Sequence, residues 1–247
     1  MKKYVLVTGA TSGIGKGVAQ RLSENYNVIL HGRKIEELEI LSKELKGSLI
    51  WCYDLSQTDG ISDSLKEFMS QNEIVIEKFV HCAGIDNNLP VKSLQSDSIE
   101  ELMKVNFYSA VEIINTLLKR SVNQNELNNI LFISSISAIR GYKAKAAYSA
   151  SKAALDAYMK VLSLEVAPKI RVNSILPGAV KTKMTEKSFE NEELVKHFEE
   201  LYPLGVGKVE QIVDMVEFYL SDKASWVTGR KIIVTGKLEL KIGRAHV

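Results

Sequence analysis

The chain has 247 residues, a formal net charge of +2, 45% hydrophobic residues and 25% charged residues. This composition is typical of a soluble globular protein, and the small charge gives no reason to expect a nucleic-acid partner. No apolar run approaches the roughly 20 residues that span a bilayer, and the first apolar stretch is too short for a signal peptide. We therefore expect a cytoplasmic protein with no membrane partner.

Seven short apolar runs, rich in β-branched residues, alternate with longer amphipathic stretches. Nearly continuous hydrophobicity is typical of strands in a parallel sheet that helices cover on both faces. The alternation predicts an α/β fold, a doubly wound, Rossmann-type, mostly parallel seven-stranded sheet with helices on both faces. The predicted strands are Val5–Val7, Val28–Leu30, Leu49–Tyr53, Phe79–His81, Ile130–Ile133, Val172–Leu176 and Ile232–Val234.

The helices follow from apolar residues at helical spacing, such as Ile14, Val18 and Leu22, and from the longer stretches Ala147–Val166 and Val209–Leu220. No linker or repeat divides the chain, so we predict one domain over residues 1–241. Two cysteines, Cys52 and Cys82, lack the spacing of metal ligands. We expect reduced thiols and no metal site.

A glycine-rich turn leads from the first strand directly into a helix. Gly9 can supply the tight turn, Gly13 lets backbone amides approach a pyrophosphate, and Gly15 allows close packing of helix and strand. The helix N-terminus offers N–H groups and a positive dipole end to the anion. A turn without a ligand is the alternative, but the strand–turn–helix context favours dinucleotide binding. The expected cofactor-binding residues here are Gly9, Thr11, Ser12, Gly13, Ile14 and Gly15.

Tyr148 and Lys152 lie four residues apart in a predicted helix, so they share one face. A nearby ammonium favours the phenolate and is expected to lower the pKa of the phenol from about 10. Such a group can donate and accept a proton near neutral pH, as the reduction of a carbonyl requires. An ordinary pair of helix-surface neighbours is the alternative.

The turn and the Tyr148/Lys152 pair together resemble the short-chain dehydrogenase/reductase family. The spacing Gly-x-x-x-Gly-x-Gly from Thr8 to Gly15 is similar to its cofactor motif, and the pair is similar to its catalytic signature. The resemblance runs from the first strand to about Val234. It implies an enzyme that transfers hydride between a nicotinamide cofactor and a ketone or secondary alcohol.

The end of the second strand bears on the choice of cofactor. Gly32 stands where NAD enzymes of the family carry Asp, and Arg33 follows it. A guanidinium can pair with the 2′-phosphate of NADP(H), whereas a carboxylate would repel it. We therefore expect NADP(H). The alternative is that Arg33 and Lys34 only begin a solvated helix.

The resemblance assigns further residues to the cofactor. Asp54 is implied to accept a hydrogen bond from the adenine amino group, although it is equally suited to cap the following helix. His81 and Cys82 depart from the family's commonest residues, and we expect His81 to be structural. The remaining cofactor-binding residues implied by the resemblance are Leu55, Ala83, Gly84, Tyr148, Lys152, Pro177, Gly178, Val180 and Thr182.

The resemblance also assigns the chemistry. Ser135, thirteen residues before Tyr148, is implied to hydrogen-bond the substrate carbonyl oxygen. Tyr148 is the expected general acid, and Lys152 is implied to bond the nicotinamide ribose. Asn106 is implied to hold a water molecule in a proton relay, its alternative being a surface position.

The substrate is left open by the sequence. Residues 183–207 occupy the usual position of a substrate lid, and Tyr202 with its neighbours is similar to β-ketoacyl-carrier-protein reductases. A small-molecule or carrier-bound ketone is expected, with another ketone or a non-catalytic nucleotide-binding role as alternatives. Arg140, Lys143 and Lys145 form a basic loop that we interpret as solvated surface rather than as a site for an acidic carrier. The apolar residues of the predicted lid are Phe189, Leu194, Phe198 and Tyr202.

Relatives are commonly tetramers, so a homo-oligomer, a tetramer or dimer, is expected. The C-terminal residues 242–247 resemble the translation of a sequencing-library adapter. We interpret them, as a hypothesis, as an artefactual tail outside the fold.

Overall fold

A computed structural model describes residues 2–186 and 200–236. Its strands form one sheet in the order β3-β2-β1-β4-β5-β6-β7, and every neighbouring pair is parallel. The predicted doubly wound fold is therefore confirmed. The strands are β1 Lys2–Thr8, β2 Asn27–Gly32, β3 Leu49–Cys52, β4 Ile74–His81, β5 Asn129–Ile133, β6 Arg171–Pro177 and β7 Lys231–Val234.

The order in which strands are added to the sheet reverses between β1 and β4. These two strands are adjacent in the sheet, although β2 and β3 lie between them in the chain. In open parallel sheets, such a reversal opens a crevice beyond the carboxyl ends of the strands, and ligands bind there. The ends of β1 and β4 meet at Thr8 and His81, which are directly paired in the sheet. The fold thus predicts the site beside these two residues.

The helices cover both faces because successive strand side chains point to opposite sides. In β1, Leu6 belongs to one buried cluster and Val7 to the other. The first cluster includes Leu65 of α3 and Leu155 of α7, whereas the second includes Val18 of α1. The helices are α1 Gly13–Leu22, α2 Ile35–Glu44, α3 Ile61–Gln71, α4 Ser96–Met103, α5 Ser109–Leu117, α6 Arg120–Asn123, α7 Ala146–Glu165 and α8 Val209–Leu220.

One irregularity interrupts the chain between α4 and α5. Residues Lys104–Tyr108 form a π-helical turn, in which one extra residue is accommodated per turn. Asn106 lies at its centre and is fully buried. Turns of this kind concentrate at functional sites, because they redirect a side chain without ending the helix.

Part of the predicted lid and the whole predicted tail lie outside the described residues. This applies to Phe189, Leu194 and Phe198 of the lid, and to residues 242–247. Tyr202 is described and is buried against Ile136, in a small apolar cluster. Its hydroxyl accepts a hydrogen bond of 3.2 Å from the backbone N–H of Ala179.

Candidate active site

The turn between β1 and α1 depends on glycine at two positions. Gly9 has a φ of 67°, a left-handed conformation that L side chains rarely adopt. A Cβ atom at Gly15 would lie 2.1 Å from the carbonyl oxygen of Gly9, so no side chain fits there. Ser12 precedes the first turn of α1 and makes no side-chain hydrogen bond to it. The helix N-terminus therefore stays open to a phosphate group, and the turn fits a dinucleotide.

The hydroxyl of Thr8 joins the ends of β1 and β4. Its oxygen accepts hydrogen bonds from the backbone N–H groups of Cys82 and Ala83, at 3.1 and 3.2 Å. It also lies 3.0 Å from Nδ1 of His81, to which it can donate its proton. Burial lowers the pKa of His81 to about 3, so the imidazole is neutral. These contacts agree with the structural role expected of His81.

The structure does not show Asp54, after β3, as the cap of a helix, which was the alternative to its expected contact with adenine. Its carboxylate accepts a 3.0 Å hydrogen bond from the backbone N–H of Ser56, which closes a turn rather than capping a helix. Asp54 is exposed, and Leu55 is buried in the core. Arg33 is exposed at the end of β2, on the same edge of the sheet.

The loop after β6 lies against the glycine turn. A Cβ atom at Gly13 would be 3.4 Å from the side chain of Thr182. Val180 is buried and pairs with Gly207, while the backbone N–H of Gly178 donates to Val234, the last residue of β7. Pro177, the final residue of β6, is likewise paired with Val234. The predicted cofactor residues on β1 and β6 are thus brought together.

Ser135, Tyr148 and Lys152 meet beyond the end of β5. Ser135 begins the turn that follows this strand, and its Oγ accepts a 3.1 Å hydrogen bond from the N–H of Ser137. Lys152 is buried, and its Nζ donates a 2.9 Å hydrogen bond to the carbonyl oxygen of Ile133. This Nζ lies 6.0 Å from the centroid of the Tyr148 ring. The structure therefore assembles the predicted catalytic residues at the ligand edge of the sheet.

The expected lowering of the phenol pKa is wrong for the protein alone. Burial and, to a lesser extent, the charge of Asp86 raise the pKa of Tyr148 to about 12, while a hydrogen bond with Ser135 acts in the opposite direction. Burial also lowers the pKa of Lys152 to about 8. The error arose because residue spacing reveals the neighbouring ammonium but not the burial of both groups. A neutral phenol at pH 7 is nonetheless the form that can donate a proton.

Asn106 uses its side-chain amide within the protein. Its Oδ1 accepts a 2.8 Å hydrogen bond from the N–H of Ile85, and its Nδ2 donates to the carbonyl oxygen of Ile85 and to Ser151 Oγ, both at 2.9 Å. Ser151 lies in α7, next to Lys152. A Cβ atom at Gly84 would be 3.3 Å from Asn106 Oδ1 and 3.2 Å from Lys152 Nζ. The amide therefore ties the loop after β4 to the helix that carries Tyr148.

An ion pair near Tyr148 was not predicted from the sequence. Asp86, in the loop after β4, forms an ion pair with Lys145, just before α7. Lys145 Nζ lies 5.4 Å from the centroid of the Tyr148 ring. The interpretation of Lys145 as solvated surface is therefore wrong, whereas Lys143 is exposed. No local pattern links Asp86 and Lys145, since 59 positions separate them.

Known proteins resemble this chain over nearly its whole length. A family model described as enoyl-(acyl carrier protein) reductase matches residues 9–236. The 3-oxoacyl-(acyl-carrier-protein) reductase FabG of Buchnera aphidicola subsp. Schizaphis graminum is 33% identical over 242 residues, covering 95% of this chain and 96% of that protein. The human mitochondrial dehydrogenase/reductase SDR family member 2 is 31% identical, covering 95% of this chain and 85% of that protein. The chain belongs to the short-chain dehydrogenase/reductase family.

Solved structures agree with this membership. The structure of 4-hydroxyisoleucine dehydrogenase complexed with NADH has a TM-score of 0.89 and 28% identity, and it covers 95% of this chain and 98% of that chain. This chain is therefore an oxidoreductase that acts on carbonyl or alcohol groups, and its fold is one that binds a nicotinamide cofactor. Within the described residues, no helix is long and apolar enough to cross a membrane.

Proposed function

We propose that this protein is an NADP(H)-dependent carbonyl reductase of the β-ketoacyl-carrier-protein type. The observation that carries the proposal is the assembly of Ser135, Tyr148 and Lys152 beyond the end of β5, beside the crevice between β1 and β4. The reductase relatives at about 30% identity over nearly the whole chain support the same reaction class. When bound, the reduced nicotinamide supplies hydride to the carbonyl carbon.

The chain's own residues would handle the carbonyl oxygen. The Ser135 hydroxyl accepts from Ser137, which leaves its proton to donate to the oxygen on which negative charge develops. The Tyr148 phenol, neutral at pH 7, gives its proton to that oxygen as general acid. Lys152 favours the resulting phenolate through its positive charge. Asn106 positions the loop after β4 against α7, since its amide bonds Ile85 and Ser151.

The preference for NADP(H) rests on Gly32 and Arg33. A Cβ atom at Gly32 would lie 3.0 Å from Thr11 Cγ2 and 3.3 Å from Leu38 Cδ2, so the carboxylate of an NAD-type site has little room. The exposed guanidinium of Arg33 stands at the same strand end and suits a 2′-phosphate. Residues Gly9 to Gly15, Asp54, Ala83 and the loop from Pro177 to Thr182 would hold the rest of the cofactor.

We also propose a homo-oligomer. Exposed apolar side chains support it, since Leu164 at the end of α7 is 80% exposed and Trp226 before β7 is 98% exposed. Contiguous exposed apolar side chains mark sites of association, and Val161, three residues before Leu164 on the same helix, is also exposed. A Leu164→Glu variant that has the same mass as the wild type in light scattering would exclude α7 from the interface.

A substrate and cofactor panel tests the proposed activity. Oxidation of NADPH and NADH is followed with acetoacetyl-CoA, acetoacetyl-carrier protein, crotonyl-CoA and a set of sugar-derived and small ketones. We expect turnover with the acetoacetyl thioesters and NADPH. Turnover with other ketones alone would favour a different carbonyl reductase, turnover with crotonyl-CoA alone an enoyl reductase, and no turnover a nucleotide-binding protein.

Two substitutions test the assigned residues. Tyr148→Phe should reduce kcat by about 100-fold or more, within the range for loss of a general acid. Tyr108→Phe, at an exposed tyrosine, is the matched control. Arg33→Ala should raise KM for NADPH far more than for NADH. Equal effects on the two cofactors would reject the NADP(H) assignment.

A further inference from the structure

Two loops meet at an ion pair beside the proposed proton donor. Asp86 Oδ2 accepts a hydrogen bond from Lys145 Nζ, and the two side chains are only 13% and 24% exposed. Ion pairs that are partly buried are screened less by water and salt than surface pairs. The contact therefore fixes the loop after β4 relative to the start of α7.

Lys145 also contacts the proton donor itself. Its Nζ lies 5.4 Å from the centroid of the Tyr148 ring, within the distance at which a cation is attracted to an aromatic face. One ammonium group is thus shared between a carboxylate and the ring of Tyr148. The position of Lys145 follows from both contacts together.

Asp86 depends on this partner. Its second oxygen, Oδ1, is buried and has no hydrogen-bond partner within residues 2–186 and 200–236. Burying a carboxylate costs free energy unless an opposite charge or hydrogen bonds stabilise it, so the ammonium of Lys145 stabilises Asp86 at this position. The carboxylate is also close enough to Tyr148 to raise the pKa of its phenol.

The backbone before Lys145 is held in an unfavourable conformation. Ala144 has a φ of 63°, in the left-handed region that residues other than glycine seldom occupy. Such strain persists where the surroundings impose it, and it concentrates at functional sites. The ion pair and the ring contact of Lys145 are contacts that can impose it.

We propose that Asp86 and Lys145 form a positioning pair for the proton donor, in which each charge balances the field of the other at the Tyr148 phenol. This inference rests on the proposed function, since it assigns the pair to the same proton transfer. The two charges of the pair have opposite effects on ionisation of the Tyr148 phenol. A carboxylate alone opposes formation of the phenolate, and an ammonium alone favours it.

The opposite signs provide the test. The charged and polar groups that lie around Tyr148 include Asp86 from the loop after β4, Ser135 from the turn after β5, and Lys145 and Lys152 from the start of α7 and from α7 itself. Removing Lys145 as Lys145→Met leaves the carboxylate unopposed, whereas Asp86→Asn leaves the ammonium unopposed. The double variant removes both charges and should return the phenol to its original state.

The first measurement is the pH profile of kcat/KM for oxidation of 3-hydroxybutyryl-CoA with NADP⁺, in which the phenolate of Tyr148 acts as base. We expect the profile to move to higher pH in Lys145→Met and to lower pH in Asp86→Asn, each by about half a pH unit or more. In the double variant it should lie close to that of the wild type. Thermal unfolding of each variant shows whether it is folded.

The second measurement does not need activity. With ¹³Cζ-labelled tyrosine, the NMR signal of Tyr148 is identified among the nine tyrosines by its loss in Tyr148→Phe. Its titration up to pH 11 should begin earlier in Asp86→Asn and later in Lys145→Met. Absence of turnover in the wild type would reject the proposed substrates, while this titration would still decide the role of the pair.

The ion pair between Asp63 and Lys66 supplies the matched control. These side chains are joined at 2.9 Å on the exposed surface of α3. Asp63→Asn and Lys66→Met make the same changes of charge and should leave both the profile and the titration unchanged. Shifts of one sign in both Asp86→Asn and Lys145→Met, or no shift in folded variants, would overturn the proposal and leave the pair a purely structural link.

Discussion

Lys152 Nζ donates a 2.9 Å hydrogen bond to the carbonyl oxygen of Ile133, the last residue of β5. The contact anchors the amine at the end of the strand from which Ser135 follows. It also keeps a charged group in the interior, because Lys152 is only 3% exposed. Two consequences of this site geometry, and two of the residues expected to bind the cofactor, can be measured.

The first prediction concerns stability against pH. Burial lowers the pKa of Lys152 to about 8 from 10.5, so between these values the unfolded chain binds a proton that the folded protein has released. Stability contributed by this group therefore rises from pH 8 to pH 10.5. We expect Lys152→Met to be more stable than the wild type at pH 7, by at most about 3 kcal/mol, with the difference disappearing near pH 10.5.

Urea unfolding at pH 7 and pH 10 measures this difference. Lys160→Met, at an exposed position of the same helix, is the control and should show no such dependence. If the difference between wild type and Lys152→Met is the same at both pH values, Lys152 does not carry a buried charge.

The second prediction concerns Asn106. Replacing it by alanine leaves both backbone polar groups of Ile85 without their partner and removes the bond to Ser151. We expect Asn106→Ala to lower the free energy of unfolding by about 2–4 kcal/mol, as for two unsatisfied buried groups. Asn72→Ala, which loses one exposed side-chain bond to Phe68, should cost much less. If chemical denaturation shows equal losses of unfolding free energy in Asn106→Ala and Asn72→Ala, Asn106 does not hold the loop after β4 against α7.

The third prediction concerns the turn after β1. In Gly15→Ala, the added Cβ would lie 2.1 Å from the oxygen of Gly9, so the backbone of the turn must move. We expect NADPH affinity, measured by fluorescence titration, to fall by about tenfold or more as the phosphate-binding amides are displaced. Gly141→Ala, where no atom lies within 4 Å of the new Cβ, should retain affinity. Unchanged binding in Gly15→Ala would show that the turn does not hold the cofactor.

The fourth prediction is that a carboxylate at position 32 shifts the cofactor preference towards NADH. A Gly32→Asp substitution places the new Cβ 3.0 Å from Thr11 Cγ2, and Thr11→Ser removes that methyl group. A carboxylate repels the 2′-phosphate of NADPH and bonds the 2′-hydroxyl of NADH. The ratio of kcat/KM for NADH to kcat/KM for NADPH should therefore be about tenfold higher in the double variant Gly32→Asp/Thr11→Ser than in the wild type. Thr11→Ser alone is the control. Steady-state kinetics with both cofactors measure the ratio, and an unchanged ratio would place the 2′ group elsewhere.

The sheet could be predicted from the sequence because its strands are short, apolar and repeated with helices between them. All seven predicted strands occur, but residues 74–78, the first five of β4, were missed. Glu77 and Lys78 interrupt its apolar pattern, although they lie within the strand. The carboxyl-edge position of the site followed from the topology alone.

The electrostatics of the site could not be predicted in the same way. Tyr148 and Lys152 are neighbours on one helix, yet the pKa of each is set mainly by burial, which depends on the whole fold. The contact between Asp86 and Lys145 links distant segments, and the π-helical turn at Asn106 has no local signature. Sequence patterns therefore located the chemical groups, while folding determined their environment.

The junction at Thr8 has a consequence for recognition. One hydroxyl, held by the amides of Cys82 and Ala83 and by His81, sets the spacing between the two strand ends that flank the crevice. These hydrogen bonds are made by the protein without a bound nucleotide, so binding there does not have to form them. We therefore expect the distance between the ends of β1 and β4 to be the same with and without a bound dinucleotide.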